Sequence, residues 1–368
     1  EEVFILDGNQ RLGTKLRLTG GGRCNVTAKV SNEEIIRNVP KNGKFLYSSL
    51  ENFGPSELID FFNKKGCPLK EEDHHRMFPV SDKSADIVSC LEKEMRDLGV
   101  NILLNEKVQD IDFTKKIMFL NEKKFSYDYL IIASGGRTLE GSGSDGSLYP
   151  MIESMGHTIT ELKPAEVPLV SNDQFIQDKT LQGISFQDVV LNIYDNNKLK
   201  QSICHDLLFT HFGISGPAAL RASYYVLKIL EKRETCQIKI DFLKEQSFQE
   251  LETLLKEKGR NDFLKTIDLP KRLISLIDSN SMNDQELIEN IKKFPINIYT
   301  TRGFKHAFLT NGGVKVKEIN PKTMKSKINS SISFCGEVID YNAFTDGFKI
   351  TSALSNGYTA GKYCLTER

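Results

Sequence analysis

The chain has 368 residues, and its 49 Lys plus Arg balance 49 Asp plus Glu to no formal net charge; that argues against nucleic acid as the main partner. The length suits two or three domains of about 100 to 200 residues each. The seven cysteines are scattered and never C-x-x-C paired, and no run nears the ~18 apolar residues of a spanning helix, which excludes a disulfide framework, a zinc ribbon and a membrane protein. A cytoplasmic protein with no signal peptide and no metal site is expected, its oligomeric state unread.

In chain order, Val3 to Leu6 reads as a strand ended by Asp7 and the turn Gly8-Asn9. In a dinucleotide-binding βαβ unit, an acid at such a strand end accepts hydrogen bonds from ribose, about 20 residues after a G-x-G-x-x-G turn. Asp7 is equally read as an ordinary turn cap. The stretch LRLTGGGRCNVTA follows. Three successive glycines, Gly20, Gly21 and Gly22, survive where side chains would obstruct something.

Gly54-Pro55-Ser56 opens a helix with Leu58, Phe61 and Phe62 on one face, ended by Gly66. A second helix starts near Ser81 or Asp82, presents Val88, Leu91, Met95 and Leu98, and stops at Gly99 before a strand over 100–104. Next come a hairpin, 116–120 and 124–127 about Asn121-Glu122, and a central strand over 129–136 ending in Ser134, Gly135 and Gly136. Helices alternating with strands give an α/β fold.

From about 166 to 240 the pattern turns β-rich, with strands near 188–193 and 236–240. Gly213-Ile214-Ser215-Gly216-Pro217 lacks the last glycine of a nucleophile elbow, so Pro217 is read as opening a helix. The segment 241–294 reads as a helical insertion, with a capping box at Ser247-x-x-Glu250 and helices over 271–278 and 284–293. Glycines return at Asn311-Gly312-Gly313-Val314, after a strand over 331–335 at Gly336-Glu337, and before a helix from about 350 to 364. Helix N-termini suit anions, and strand-to-glycine junctions at both chain ends are best explained by one large, flat, anionic ligand.

The segments TGGGRCNVT, HRMFPVSDKSADIV, LLFTHFGISGP, TRGF, NGGVKVKEINPKTMKSK and FCGEVID, in this order, resemble a family of bacterial FAD-dependent oxidoreductases, often described as NAD(P)/FAD-dependent. The family includes aminoacetone oxidase and bile-acid-reductase-like flavoproteins. The resemblance implies a Rossmann-like, two-dinucleotide FAD domain built from residues 1–165 and 306–368, a β-barrel-like domain from 166–240 and 295–305, and a small helical domain over 241–294. It implies FAD contacts at Asp7, Lys15, Gly20, Gly21, Gly22, Arg23, Cys24, Asn25, Val108, Ser134, Gly135, Gly136, Gly312, Gly313, Gly336, Glu337, Asp340, Gly347, Phe348, Lys349 and Ile350. Val108 is expected in a strand, its backbone facing adenine. The strand, G-x-G-x-x-G turn and helix that open such domains do not precede Glu1 in this sequence. Thr345-Asp346-Gly347-Phe348-Lys349 replaces the family's T-G-G-Y-N.

Candidate catalytic residues are Arg23 and His211. Arg23 is a cation that would stabilise reduced flavin or orient a carboxylate, with a structural salt bridge as its alternative. His211, beside the FGISG loop, would act as acid or base. Cys24 lacks a nearby cysteine in sequence with which to form a redox disulfide. The expected function is hydride transfer through FAD between NADH, NADPH or a small organic substrate and an acceptor. The alternative is a non-catalytic, flavin-binding or flavin-free interaction protein on the same fold.

Overall fold

The computed structural model describes residues 2–121 and 123–366. Glu122, placed above in a hairpin turn, lies outside them. The chain divides into two compact units: residues up to Pro164 together with those from Leu309 onward, and Ala165–Phe308. The first unit is therefore assembled from both ends of the chain.

Its scaffold is two parallel pairs, Phe4–Asp7 beside Asn101–Leu104 and Leu130–Ile132 beside Ile332–Phe334. Parallel neighbours need long crossovers, so each pair joins segments remote in sequence. The first crossover carries the helix Pro55–Lys64, where Pro55 takes the first turn and the Glu57 carboxylate accepts the Gly54 N–H at 2.9 Å. Leu58 and Phe62, one turn apart on that helix, bury beside Cys24, Val26, Cys67, Ile87 and Cys90. The next helix, Ser84–Asp97, starts later than the sequence suggests, because Asp82 takes a positive φ of 56° and spends its carboxylate on Arg23 and Lys70. Leu98, expected on its inner face, lies past the last turn and is 73% exposed.

Two further expectations need correction. The strand expected as central over 129–136 is only Leu130–Ile132, with one strand partner among the described residues, and Gly135 then turns the chain at φ 75°. Val108 is not in a strand: Asn105, at φ 59°, ends Asn101–Leu104, and Val108 lies in the connector before Asp110–Asp112. The hairpin strands Ile117–Phe119 and Lys124–Ser126 join Asp110–Asp112 as a three-stranded meander.

The second unit is a closed, antiparallel six-stranded barrel, in the order Leu169–Ser171, Gly213–Ser215, Lys198–Phe209, Ser185–Asp195, Cys236–Asp241 and Phe294–Thr301. Period-two burial shows in Cys236, Ile238 and Ile240, which point inward. Gly216–Leu230 is the helix opened by Pro217. The helices Phe248–Lys258, Arg260–Thr266, Lys271–Ser279 and Asp284–Lys292 share one core with the barrel, through Leu251, Leu255, Phe263, Leu273 and Ile291. The helical segment is thus part of the barrel unit. Arg260–Thr266 escaped the sequence reading; Gly259, at φ 74°, breaks it from the helix before. The unit's ends meet, Phe308 N–H donating to the Glu166 carbonyl at 3.2 Å.

Candidate functional site

Two polar clusters form past the carboxyl ends of strands in the first unit, one after Phe4–Asp7 and one after Leu130–Ile132 and Ile332–Phe334. Asp7 Oδ1 accepts from the Asn9 N–H (2.9 Å) and Asn9 Nδ2 (2.8 Å), which is the turn cap, and Asn9 Nδ2 also reaches the Ser142 carbonyl. Ser144 Oγ accepts from the Gly136 N–H at 2.9 Å and from Lys15 Nζ at 3.3 Å. Lys15 Nζ pairs with Glu337 Oε2 at 2.6 Å, and Glu337 Oε1 accepts the Thr310 N–H at 2.7 Å. Burial alone would push the Glu337 carboxyl up, but the charges of Lys15 and Lys349 and the donors around it hold it below the usual carboxylate range. Ligands of open α/β sheets bind outside such strand ends.

Beside these clusters Cys24 N–H returns to the Thr19 carbonyl at 3.1 Å, so the three glycines bulge outward between them. Their φ values are 55°, 66° and 88°, and all three are exposed. A Cβ on Gly20 would meet Asn25 N at 2.8 Å, whereas one on Gly21 or Gly22 would meet nothing within 4 Å. The left-handed backbone favours glycine at all three positions, and among the described residues the space in front of the last two is open.

Arg23 takes the structural pairing, donating to Glu72 at 2.9 Å and Asp82 at 3.2 Å and stacking 4.0 Å over the Phe78 ring. Its charge is offset, and its position fixed, by those two carboxylates. Cys24 is buried, and burial pushes its thiol up to about 11, far from a reactive thiolate. Cys67, distant in sequence, shares its core.

The C-terminal segment closes the site. Gly347 holds φ 86°, and a Cβ there would lie 2.5 Å from the Thr27 carbonyl carbon; Thr27 and Thr351 hydroxyls bond at 2.7 Å. Phe348 begins the helix Phe348–Tyr363, in whose first turn Lys349 is buried, donating to the Tyr341 carbonyl at 3.0 Å and lying 4.0 Å over its ring; Ile350 packs beside Cys24. Asp346 has φ 73°, which shows why the resembling motif carries glycine there: this backbone is costly for most side chains, and aspartate is among those that tolerate it. Asp340, buried, pairs with Lys41 at 2.6 Å.

Other expected contacts fall differently. Gly312 and Gly313 lie within the strand Leu309–Val314, not in a turn, and a Cβ on them would meet the Glu161 carbonyl oxygen at 2.3 Å and that of Val338 at 2.4 Å. Their glycine requirement comes from the chain's own backbone. Gly336, at φ 77°, turns the chain out of Ile332–Phe334 into Glu337. His211 belongs to the second unit, exposed between Lys198–Phe209 and Gly213–Ser215, with its ring edge-on to Phe212. The sequence reading missed Ser144, Thr310, Lys41 and Tyr149, for which no local motif signals a role.

A family model described as the HI0933-like protein Rossmann domain matches residues 1–363. The chain belongs to this family. HI0933-like proteins form a flavin-dependent oxidoreductase family with enzymes among its members. The 3-dehydro-bile acid delta(4,6)-reductase of Clostridium scindens is 27% identical over 384 residues, 98% of this chain and 92% of that protein. Ribosomal RNA dihydrouridine synthases are similar too: that of Haemophilus influenzae is 28% identical over 383 residues, 97% of this chain and 91% of its own, and that of Escherichia coli 27% over 387 residues, 100% and 92%. Among the described residues, no helix is long and apolar enough to cross a membrane.

A flavin is the cofactor that membership of the HI0933-like family implies, and the residues present fit one. Gly21 and Gly22 offer backbone to open space. Three buried polar atoms, Asn25 Oδ1, the Tyr149 hydroxyl and Asn342 Oδ1, have no hydrogen-bond partner among the described residues. Such atoms are costly unless a ligand or water satisfies them. Burial, then the nearby charges of Glu337 and Asp340, push the Tyr149 phenol up, so it keeps its proton to donate.

Proposed function

We propose that this HI0933-like protein is an FAD-dependent reductase using NADH or NADPH to saturate a carbon–carbon double bond conjugated to a carbonyl in a ring substrate. The observation that carries the reading is the open glycine bulge at Gly21 and Gly22 beside unsatisfied buried polar atoms, at strand ends tied together by Lys15 and Glu337. The relatives' names support the substrate class: a delta(4,6) reductase of a 3-dehydro-bile acid and a synthase of dihydrouridine both act on such a bond. Nucleic acid, set aside on charge, thereby returns as a candidate substrate, because modifying one base needs no broad basic face.

A bound FAD supplies the two-electron transfer between donor and acceptor. The chain's own part is to hold it and shape its surroundings. Asp7 would take the ribose end, with Val108 in the adjoining connector. Ser134, Gly135 and Gly136 with Gly336 and Glu337 would line the middle of the cofactor, where the Lys15 pair fixes their spacing. The N-terminal end of Phe348–Tyr363, at Phe348, Lys349 and Ile350, would present the positive end of its dipole to a negative or carbonyl oxygen of the cofactor. Gly20 to Asn25 would lie against the ring system, with Arg23 braced at its edge.

The test is spectroscopic. Full-length protein should purify with a flavin spectrum, bleach anaerobically with NADH or NADPH, and recover colour on adding a cyclic enone or a uridine-containing RNA. A colourless full-length protein refutes the cofactor. Colour that no reductant bleaches supports the non-catalytic alternative.

A further inference from the structure

The second unit holds an arginine prepared for an anion that the described residues do not provide. Arg302 follows the strand Phe294–Thr301 and is anchored by its N–H on the Pro168 carbonyl at 3.1 Å. Gly303, at φ 66°, reverses the chain, and the short turn Phe304–His306 brings His306 back beside the arginine. The guanidinium carbon lies 4.5 Å over the Phe212 ring, and its NH2 nitrogen is 3.0 Å from His306 Nε2. Arginine cannot accept, so His306 Nε2 is the acceptor, which puts the proton of a neutral imidazole on Nδ1. One face and one edge of the fork are thus fixed.

Arg23, Arg76, Arg96, Arg233 and Arg260 each have a carboxylate within ion-pair distance. Among the described residues Arg302 has none, nor has the exposed Lys305 three residues on. A planar fork stacked on an aromatic ring, partly desolvated and oriented, is the arrangement that grips an oxyanion through paired N–H donors. Stacking also restricts the side chain before any ligand arrives, which lowers the ordering cost of binding.

We propose that Arg302, stacked on Phe212 and steered by His306, binds an oxyanion, a phosphate or a carboxylate. The site stands wholly within the barrel unit and goes beyond the reductase reading. Its test reads binding without turnover, so each can fail alone.

Full-length protein is titrated calorimetrically with uridine 5′-monophosphate and, separately, with cholate, and with uridine as the neutral control. At least one anion should bind, and R302Q should weaken it about ten- to a hundredfold, the loss of one or two charge-assisted hydrogen bonds. R302K, a point charge without a fork, should fall between, and F212L should cost about two- to fivefold. Any change in uridine binding should stay within about twofold. Binding of the phosphate alone assigns a nucleotide, and binding of the carboxylate alone an organic acid; both support the site. Failure of wild type to bind either anion overturns it, as does an unchanged affinity in an R302Q protein of wild-type melting temperature.

Discussion

Substituting Glu337 by Gln tests whether the two chain ends are held together electrostatically. The variant keeps an oxygen for the Thr310 N–H but removes the charge facing Lys15 at 2.6 Å and the buried Lys349. Removing one member of a buried pair costs about 3 to 5 kcal/mol. Lys15 is 24% exposed, so water recovers part of that, and about 2 to 4 kcal/mol is expected. For a unit of this size the melting temperature should fall by about 5 to 10 °C. Urea unfolding followed by circular dichroism, run on E337Q, K15M and the double variant, isolates the pair. The double variant should be more stable than the sum of the singles implies, by about 2 kcal/mol. The pH dependence has a definite sign. A carboxyl held low when folded contributes its full stability above the ordinary value near about 4.3 and loses it as pH falls through the folded value. The gap between wild type and E337Q should therefore narrow in acid. Additivity within about 0.5 kcal/mol, or a gap that ignores pH, would show that the contact holds nothing together.

Gly21→Ala should cost about 1 to 2 kcal/mol, from the strain of alanine at φ 66° and not from any clash, and should lower flavin content per mole of purified protein. Gly347→Ala, driven into the Thr27 backbone, should cost more than about 2 kcal/mol in urea whether or not flavin is bound. Cys24, buried with its thiol at about 11, should escape iodoacetamide in native protein while exposed Cys204 is alkylated within the same time course, as read by peptide mass spectrometry. His157 is buried between Glu318 Oε2 at 3.2 Å and Ser326 Oγ at 2.8 Å, and burial pushes its pKa down against the pull of Glu318. A histidine lowered in the folded state costs stability as pH drops from about 6.5 toward its folded value, so the urea midpoint should fall across that window and flatten in His157→Gln.

What was legible in the sequence was local. Pro55, Pro217 and the Ser247 capping box mark helix starts because each acts within one turn, and all three begin helices in the structure. The glycine runs were visible too, but a glycine says only that a Cβ is unwelcome, not what fills the space. At Gly21 and Gly22 the space is open, while at Gly312, Gly313 and Gly347 the chain's own carbonyl groups occupy it. Arg302 and Gly303 stood in the motif TRGF, but no spacing rule connects them to Phe212, which reaches them through barrel closure. Lys15 and Glu337 were each singled out through the family resemblance, but their pairing carried no pattern, since it spans 322 residues of chain.

That span bears on how the protein is made. Lys15 waits for a partner 322 residues downstream, a delay of about 15 to 60 s at the usual 5 to 20 residues per second of synthesis. The barrel unit, one continuous segment with its ends hydrogen-bonded to each other, can complete first on the ribosome. The first unit meanwhile stands as an unfinished α/β layer, its apolar strands Phe4–Asp7 and Leu130–Ile132 released before Ile332–Phe334 and the last helix exist. Nascent chains stalled just short of residue 332 should accordingly recruit chaperones more strongly than those stalled after 363.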